Sequence, residues 1–128
     1  MTVRKIKPSD FDRYVVKSSV PSIVKLYDRD CPLCRGLNVI YSDLSDKYGV
    51  DFNFYKINIE DDIEFSERYM DGGVPTILLF ISSHVPILIE YPDEPDDYSG
   101  YGRKYLDDWF KHIKFTIEAL KTKRNTNE

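Results

Sequence analysis

The chain predicts a mixed α/β fold, and three features of its hydrophobic pattern point there. Two β-rich runs, 22–28 and 51–59, flank a segment of helical period. An almost continuous apolar run, 77–81, is followed after a short loop by a second strand-like run, 86–91. An amphipathic stretch, 104–121, closes the order as a long helix. At 128 residues the chain fits one domain, 1–128 with a polar tail from about 122, and is long enough to bury a core without staples.

Taken in order, 10–17 reads as a short first helix or turn, which Asp10 or Ser9 can cap, with Phe11, Val15 and Val16 facing inward. The run Ser22-Ile23-Val24-Lys25-Leu26-Tyr27-Asp28 is β-rich and bounded by Pro21. From Cys31 a helix is expected to about Tyr48, with Leu33, Leu37, Ile40, Tyr41, Leu44 and Tyr48 on one face. Gly49 would end it as a residue tolerant of positive φ. Phe52, Phe54, Ile57 and Ile59 are the apolar members of the next strand. A short helix follows from Asp61 or Asp62 to about Met70, then a turn at Asp71-Gly72-Gly73. The run 77–81 should be a buried strand, antiparallel to 86–91. An acidic loop, 93–102, precedes the last helix, whose expected buried face is Leu106, Trp109, Phe110, Ile113, Ile117 and Leu120.

Composition narrows the function classes. A formal net charge of -4, with basic residues clustered only around Arg4-Lys5-Lys7 and Lys121-Lys123-Arg124, argues against a nucleic-acid binder. Apolar content of 41% and charged content of 31% are ordinary for a globular protein. No apolar run has the length of a signal or membrane segment, so a cytoplasmic protein with no membrane partner is expected, unless a leader was removed.

The only two cysteines lie in Cys31-Pro32-Leu33-Cys34, where a strand turns into a helix, so neither is left for a structural disulfide framework. A Cys-x-x-Cys in this setting reads as a redox pair. The helix start offers unpaired N–H groups and a partial positive charge, which favour thiolate over thiol at the first cysteine. The second, about a turn later and more buried, would resolve a mixed disulfide. Half of a zinc site and two inert core cysteines are the competing readings; zinc needs about four ligands, and His84 and His112 have no spacing that completes a set.

A second stretch, Gly72-Gly73-Val74-Pro75-Thr76 followed by Ile77-Leu78-Leu79-Phe80, resembles the cis-proline segment of the thioredoxin superfamily, with Pro75 at the family's usual 44 residues after Cys31. The strand carrying Lys56 also resembles the family's central strand. Tyr98-Ser99-Gly100-Tyr101-Gly102-Arg103 and Leu106-Asp107-Asp108-Trp109-Phe110 are similar to the end of a protein disulfide isomerase catalytic domain. The resemblance implies a thioredoxin fold: a central mixed sheet flanked by helices, with the C-terminal helix packed on it. It implies a thiol–disulfide oxidoreductase acting on protein substrates, as a monomer and without a cofactor. Cys31 would be the attacking thiolate and Cys34 the resolving thiol. Pro75, cis, would sit beside the sulfurs, and the backbone of Val74 would pair with an extended substrate segment. Pro32 and Leu33 would form the motif's surface, Leu33 making it apolar. Arg103 matches an arginine that can swing toward the second cysteine.

Departures from the family pattern are equally specific. The buried acid expected six residues before the first cysteine is Lys25, while the family's pairing lysine is kept as Lys56. One of the two must be neutral, point to solvent or find a carboxylate such as Asp28 or Glu60. An uncharged Lys25 could act as the proton acceptor; otherwise it snorkels outward. Asp30 replaces the usual tryptophan and opposes thiolate formation at Cys31, whereas Arg35 keeps a positive charge in the first helical turns. Pro32-Leu33 does not set the direction of exchange, since family potentials run from about -270 to about -180 mV. Two other readings stand beside the enzyme: a redox-inactive thioredoxin-fold interaction module, and a cysteine-ligated metal or iron–sulfur site shared by two chains.

Overall fold

The computed structural model describes residues 3–70, 72–94 and 99–126. Asp71, the part of the acidic loop from Pro95 to Tyr98, and the two residues at each end of the chain lie outside the described residues. The β-rich runs produce β2 (Ser22–Tyr27) and β3 (Asn53–Asn58), and the apolar run produces β4 (Thr76–Phe80), buried along its whole length. With β1 (Arg4–Lys5) and β5 (Ile87–Ile89) they form a five-stranded sheet in the order β1-β3-β2-β4-β5. The β1–β3 and β3–β2 pairs are parallel, whereas β4 runs antiparallel to both β2 and β5. The helices are α1 (Pro32–Tyr48), α2 (Ile63–Tyr69) and α3 (Arg103–Thr126).

β2 lies at the centre, and its side chains divide the core. Ile23 packs with Leu37, Tyr41 and Leu44 of α1, Phe54, Ile77 and Leu79 of the sheet, and Leu106 and Phe110 of α3. Val24 and Leu26 point the other way, into a cluster with Ile6, Phe11, Val15, Ile57, Leu78 and Phe80, against which Phe65 packs, together with Tyr69. The sheet is therefore covered by α1 and α3 on one face and by α2 with the N-terminal segment on the other. This is the mixed sheet with a docked C-terminal helix that the sequence implied.

Several local expectations change. β1 was not anticipated, because its two side chains are exposed and only its backbone pairs with Tyr55 and Lys56, leaving no hydrophobic signal. The stretch expected as a short helix or turn over 10–17 is a 3₁₀ turn, Pro8–Asp10, in which Asp10 Oδ2 accepts from Lys7 N–H at 3.3 Å, followed by a π-helical turn, Asp12–Val16. Phe11 and Val15 are buried, while Val16 is only partly so. Gly49 ends α1 with φ -65°, an ordinary right-handed conformation, so positive φ is not why glycine stands there. Asp62 caps α2 by accepting from Phe65 N–H at 3.1 Å.

Leu120, expected on the buried face of α3, is 62% exposed. α3 has 24 residues, about 36 Å of helix, and β4 only 5, about 17 Å of strand, so the later turns of α3 extend past the core. Ile81 falls just beyond β4 and Leu33 in the first turn of α1; both are exposed.

Candidate active site

The site is built where β2 leaves the sheet and α1 begins. Cys31 is extended and forms the N-cap of α1, and Pro32 follows at the first helical position, where a missing N–H costs nothing. The Cys31 sulfur accepts a hydrogen bond from Cys34 N–H at 3.1 Å, one of the helix's otherwise unpaired donors. Cys31 and Cys34 are joined as a disulfide with Cα atoms 5.1 Å apart. Cys31 is 8% exposed and Cys34 3%, so the first cysteine is the more accessible.

Facing the disulfide is the loop before β4. The Val74–Pro75 peptide bond is cis, Pro75 is buried, and the Val74 carbonyl oxygen lies 3.7 Å from the Cys31 sulfur. The Pro75 carbonyl in turn accepts from Tyr91 Oη and, at 3.5 Å, from Tyr101 Oη. Tyr101 Oη also accepts from Ile77 N–H at 3.1 Å, and the two tyrosine rings stack with centroids 4.2 Å apart. The sequence reading missed both tyrosines. Their signal was weak: Tyr91 lay at a strand's end, and Tyr101 inside a glycine-bounded turn. Gly100 lets them close on the motif. Its φ is +83°, and a Cβ there would meet Tyr91 Cε1 at 2.9 Å and Leu33 Cδ1 at 3.6 Å. Leu33 and Tyr91, 41% and 42% exposed, form an apolar surface at the side of the disulfide.

Two lysines stand side by side on neighbouring strands beneath α1. Lys25 of β2 and Lys56 of β3 are paired in register, which puts both side chains on the α1 face of the sheet. Lys25 does not reach solvent; it is 2% exposed. Nor does it find a carboxylate: its Nζ donates to Asn38 Oδ1 at 2.8 Å and sits 4.7 Å from the Tyr41 ring centroid. Glu60 pairs instead with Arg29 at 3.1 Å, and Asp28 accepts from Asp30 N–H at 3.3 Å. Burial, and then the charge of Lys56, push the Lys25 ammonium down to about 8 from its usual 10.5. Lys56 is only partly buried and lies 5.7 Å from the Tyr27 ring centroid.

Arg103 is not brought to the sulfurs. It pairs with Asp43 at 2.6 Å. Asp43 lies nine residues beyond Cys34 on α1, about 13 Å along the axis. Among the described residues, no group of three or more His, Cys, Asp or Glu side chains could hold a metal ion, and no helix is long and apolar enough to cross a membrane.

Fold and site together define an α/β protein with a Cys-x-x-Cys disulfide at a helix N-terminus, set against a cis-proline loop. The family model described as Thioredoxin matches residues 2–99, and the chain belongs to the thioredoxin family. It is 31% identical over 78 residues to the chloroplastic thioredoxin M4 of Arabidopsis thaliana, covering 61% of this chain and 40% of that protein. The chloroplastic thioredoxin M2 of the same plant is 25% identical over 62% of this chain and 42% of its own length. A thioredoxin of Acidithiobacillus ferridurans is 29% identical over 59% of this chain and 69% of its own. The match thus spans about two fifths of the two plant relatives.

Proposed function

We propose that the chain is a thiol–disulfide oxidoreductase that exchanges its Cys31–Cys34 disulfide with protein substrates. The observation that carries this reading is the cysteine pair itself, bonded at the head of α1 with the Cys31 sulfur held by the Cys34 N–H. In the reducing direction, the Cys31 thiolate attacks one sulfur of a substrate disulfide, and the other substrate sulfur leaves as a thiolate. Cys34, as thiolate, then attacks the Cys31 sulfur; the second substrate sulfur leaves, and the disulfide forms between Cys31 and Cys34. The same steps reversed oxidise a dithiol. The free N–H groups and dipole of α1 stabilise the Cys31 thiolate as nucleophile and as leaving group.

The surroundings support a polypeptide substrate. Pro75 removes one N–H beside the sulfurs, and the backbone at Val74 borders the disulfide, where an extended segment can lie along it. Leu33, Tyr91 and Val74 offer apolar contact next to it. The same reading takes residues 1–128 as one domain, because Leu106 and Phe110 of α3, beyond the family match, share a cluster with Ile23, Leu37 and Ile77. Turbidity from insulin-disulfide reduction by dithiothreitol tests the activity: the native chain should accelerate it, and Cys31→Ser should not exceed the uncatalysed rate. Equal rates for the two chains would overturn the assignment.

A further inference from the structure

The sheet gives out just where the disulfide is faced. β5 is three residues long, and its pairing with β4 runs only from Leu79 to Ile77; β2 pairs no further than Thr76. Pro75, one residue earlier, is paired with no strand, so its carbonyl must find donors elsewhere. Two phenols supply them. Tyr91 Oη and Tyr101 Oη both donate to the Pro75 carbonyl, and Tyr101 Oη accepts from Ile77 N–H at 3.1 Å. The rings stack with centroids 4.2 Å apart. Burial pushes both phenols up from their usual range, so both keep their protons and remain donors at neutral pH. Their exposure differs: Tyr91 is 42% exposed and Tyr101 is fully buried. Tyr101 therefore offers a substrate no surface, and what it does for the reaction must pass through the backbone it holds. That backbone borders the sulfurs, because the carbonyl of Val74, the residue before Pro75, lies 3.7 Å from the Cys31 sulfur.

We propose that Tyr91 and Tyr101 are positioning residues that fix the Val74 backbone for pairing with an extended substrate, and so set affinity for polypeptide disulfides rather than the rate of sulfur exchange. This rests on the oxidoreductase reading and deepens it. Main-chain pairing contributes affinity only when the groups to be paired are already held in place; a loop free to shift would have to be ordered at each binding event. Two hydroxyls on one carbonyl, tied through Ile77 to β4, supply that order in advance. A small disulfide without a peptide backbone has nothing to pair with Val74 and is insensitive to its placement.

Reduction of fluorescein-labelled insulin, self-quenched until its chains separate, measures KM and kcat with dithiothreitol as the recycling reductant. Tyr101→Phe removes one hydroxyl from a buried ring and should raise KM for insulin about fivefold, the worth of an ordinary hydrogen bond, while kcat changes by less than about twofold. Tyr91→Phe keeps the exposed ring and should raise KM by a similar factor; it decides the matter if Tyr101→Phe does not fold. In both variants the loss in kcat/KM toward insulin should exceed the loss in rate toward 5,5′-dithiobis(2-nitrobenzoate), which offers no backbone. An unchanged KM in either folded variant would overturn the proposal. So would equal losses toward the two disulfides, which would show that the phenols act on the sulfurs. A native chain that reduces neither disulfide would sink the oxidoreductase reading itself and this proposal with it, a result seen before any tyrosine is changed.

Discussion

Two polar spots lie against α1, a partly exposed one at its C-terminal end and a buried one beneath its middle turns, and they are resolved in opposite ways. At the C-terminal end, Asp107 of α3 is fully engaged. It binds Lys47 Nζ at 2.7 Å, Tyr48 Oη at 2.8 Å and Lys111 Nζ at 3.0 Å. These donors, Lys47 first, hold its carboxyl down at about 2. Burial and the same carboxylate push the Tyr48 phenol up. Beneath the middle turns, Lys25 has an amide for a partner and a second lysine beside it. The first spot joins α1 to α3 by placing two ammonium groups on one carboxylate at the edge of solvent. The second carries a charge the fold does not neutralise, a few residues from the reacting sulfurs.

Breaking the two spots should therefore have opposite signs. The largest effect on stability is expected at Lys25. Unfolded, the lysine keeps its proton to about 10.5, and folded only to about 8, so the unfolded chain binds more protons between those values. Native stability should rise as pH increases across that window, and the penalty is full below about pH 8. Lys25→Met should then be more stable than the native chain by roughly 3 kcal/mol at pH 7, from 1.36 kcal/mol per pH unit. The gain should shrink toward pH 10. Urea unfolding at the two pH values measures it, and a destabilised Lys25→Met at pH 7 would show the ammonium to be well accommodated.

Asp107→Asn should act in the other direction, costing about 1 to 2 kcal/mol at neutral pH. Its folded carboxyl titrates at about 2 rather than 3.8, so this contribution is present above about pH 4 and is lost as pH falls toward 2. Thermal unfolding of native and variant chains should converge at the acid end. The smallest effect is expected at Arg103, whose pair with Asp43 is about half exposed on both sides. Arg103→Ala should shift stability by less than about 1 kcal/mol. If Arg103 stays with Asp43 during turnover, Arg103→Ala should keep the native rate of insulin-disulfide reduction; a slowed rate would instead reveal that it swings to Cys34.

Much of this was legible along the chain because it rests on local physics. The Cys31 cap, the 3.6-residue stripe of α1 and the apolar run of β4 each declare themselves within a few residues. What stayed hidden depended on backbone or on distance. β1 has no apolar pattern, since its two residues contribute only backbone pairing. Leu120 fits the α3 stripe as well as Leu106 does, but periodicity shows which face is apolar and not where the sheet beneath it stops. Tyr91 and Tyr101, which hold the Pro75 carbonyl, come from either side of the acidic loop, and no spacing rule pairs them.

Sequence alone determined that two thiols stand at a helix start, and its family resemblance implied a facing Val-Pro turn and a lysine where a carboxylate is usual. It could not say what that lysine would touch. Only the tertiary structure decided that Lys25 is buried and bound to Asn38, thirteen residues away, rather than snorkelling to water. The physical reason is that a buried amine takes its partner from whichever helical turn packs over its strand. That choice depends on how α1 crosses the sheet, which is settled by the packing of Ile23, Leu37, Tyr41 and Ile77 and not by the lysine itself.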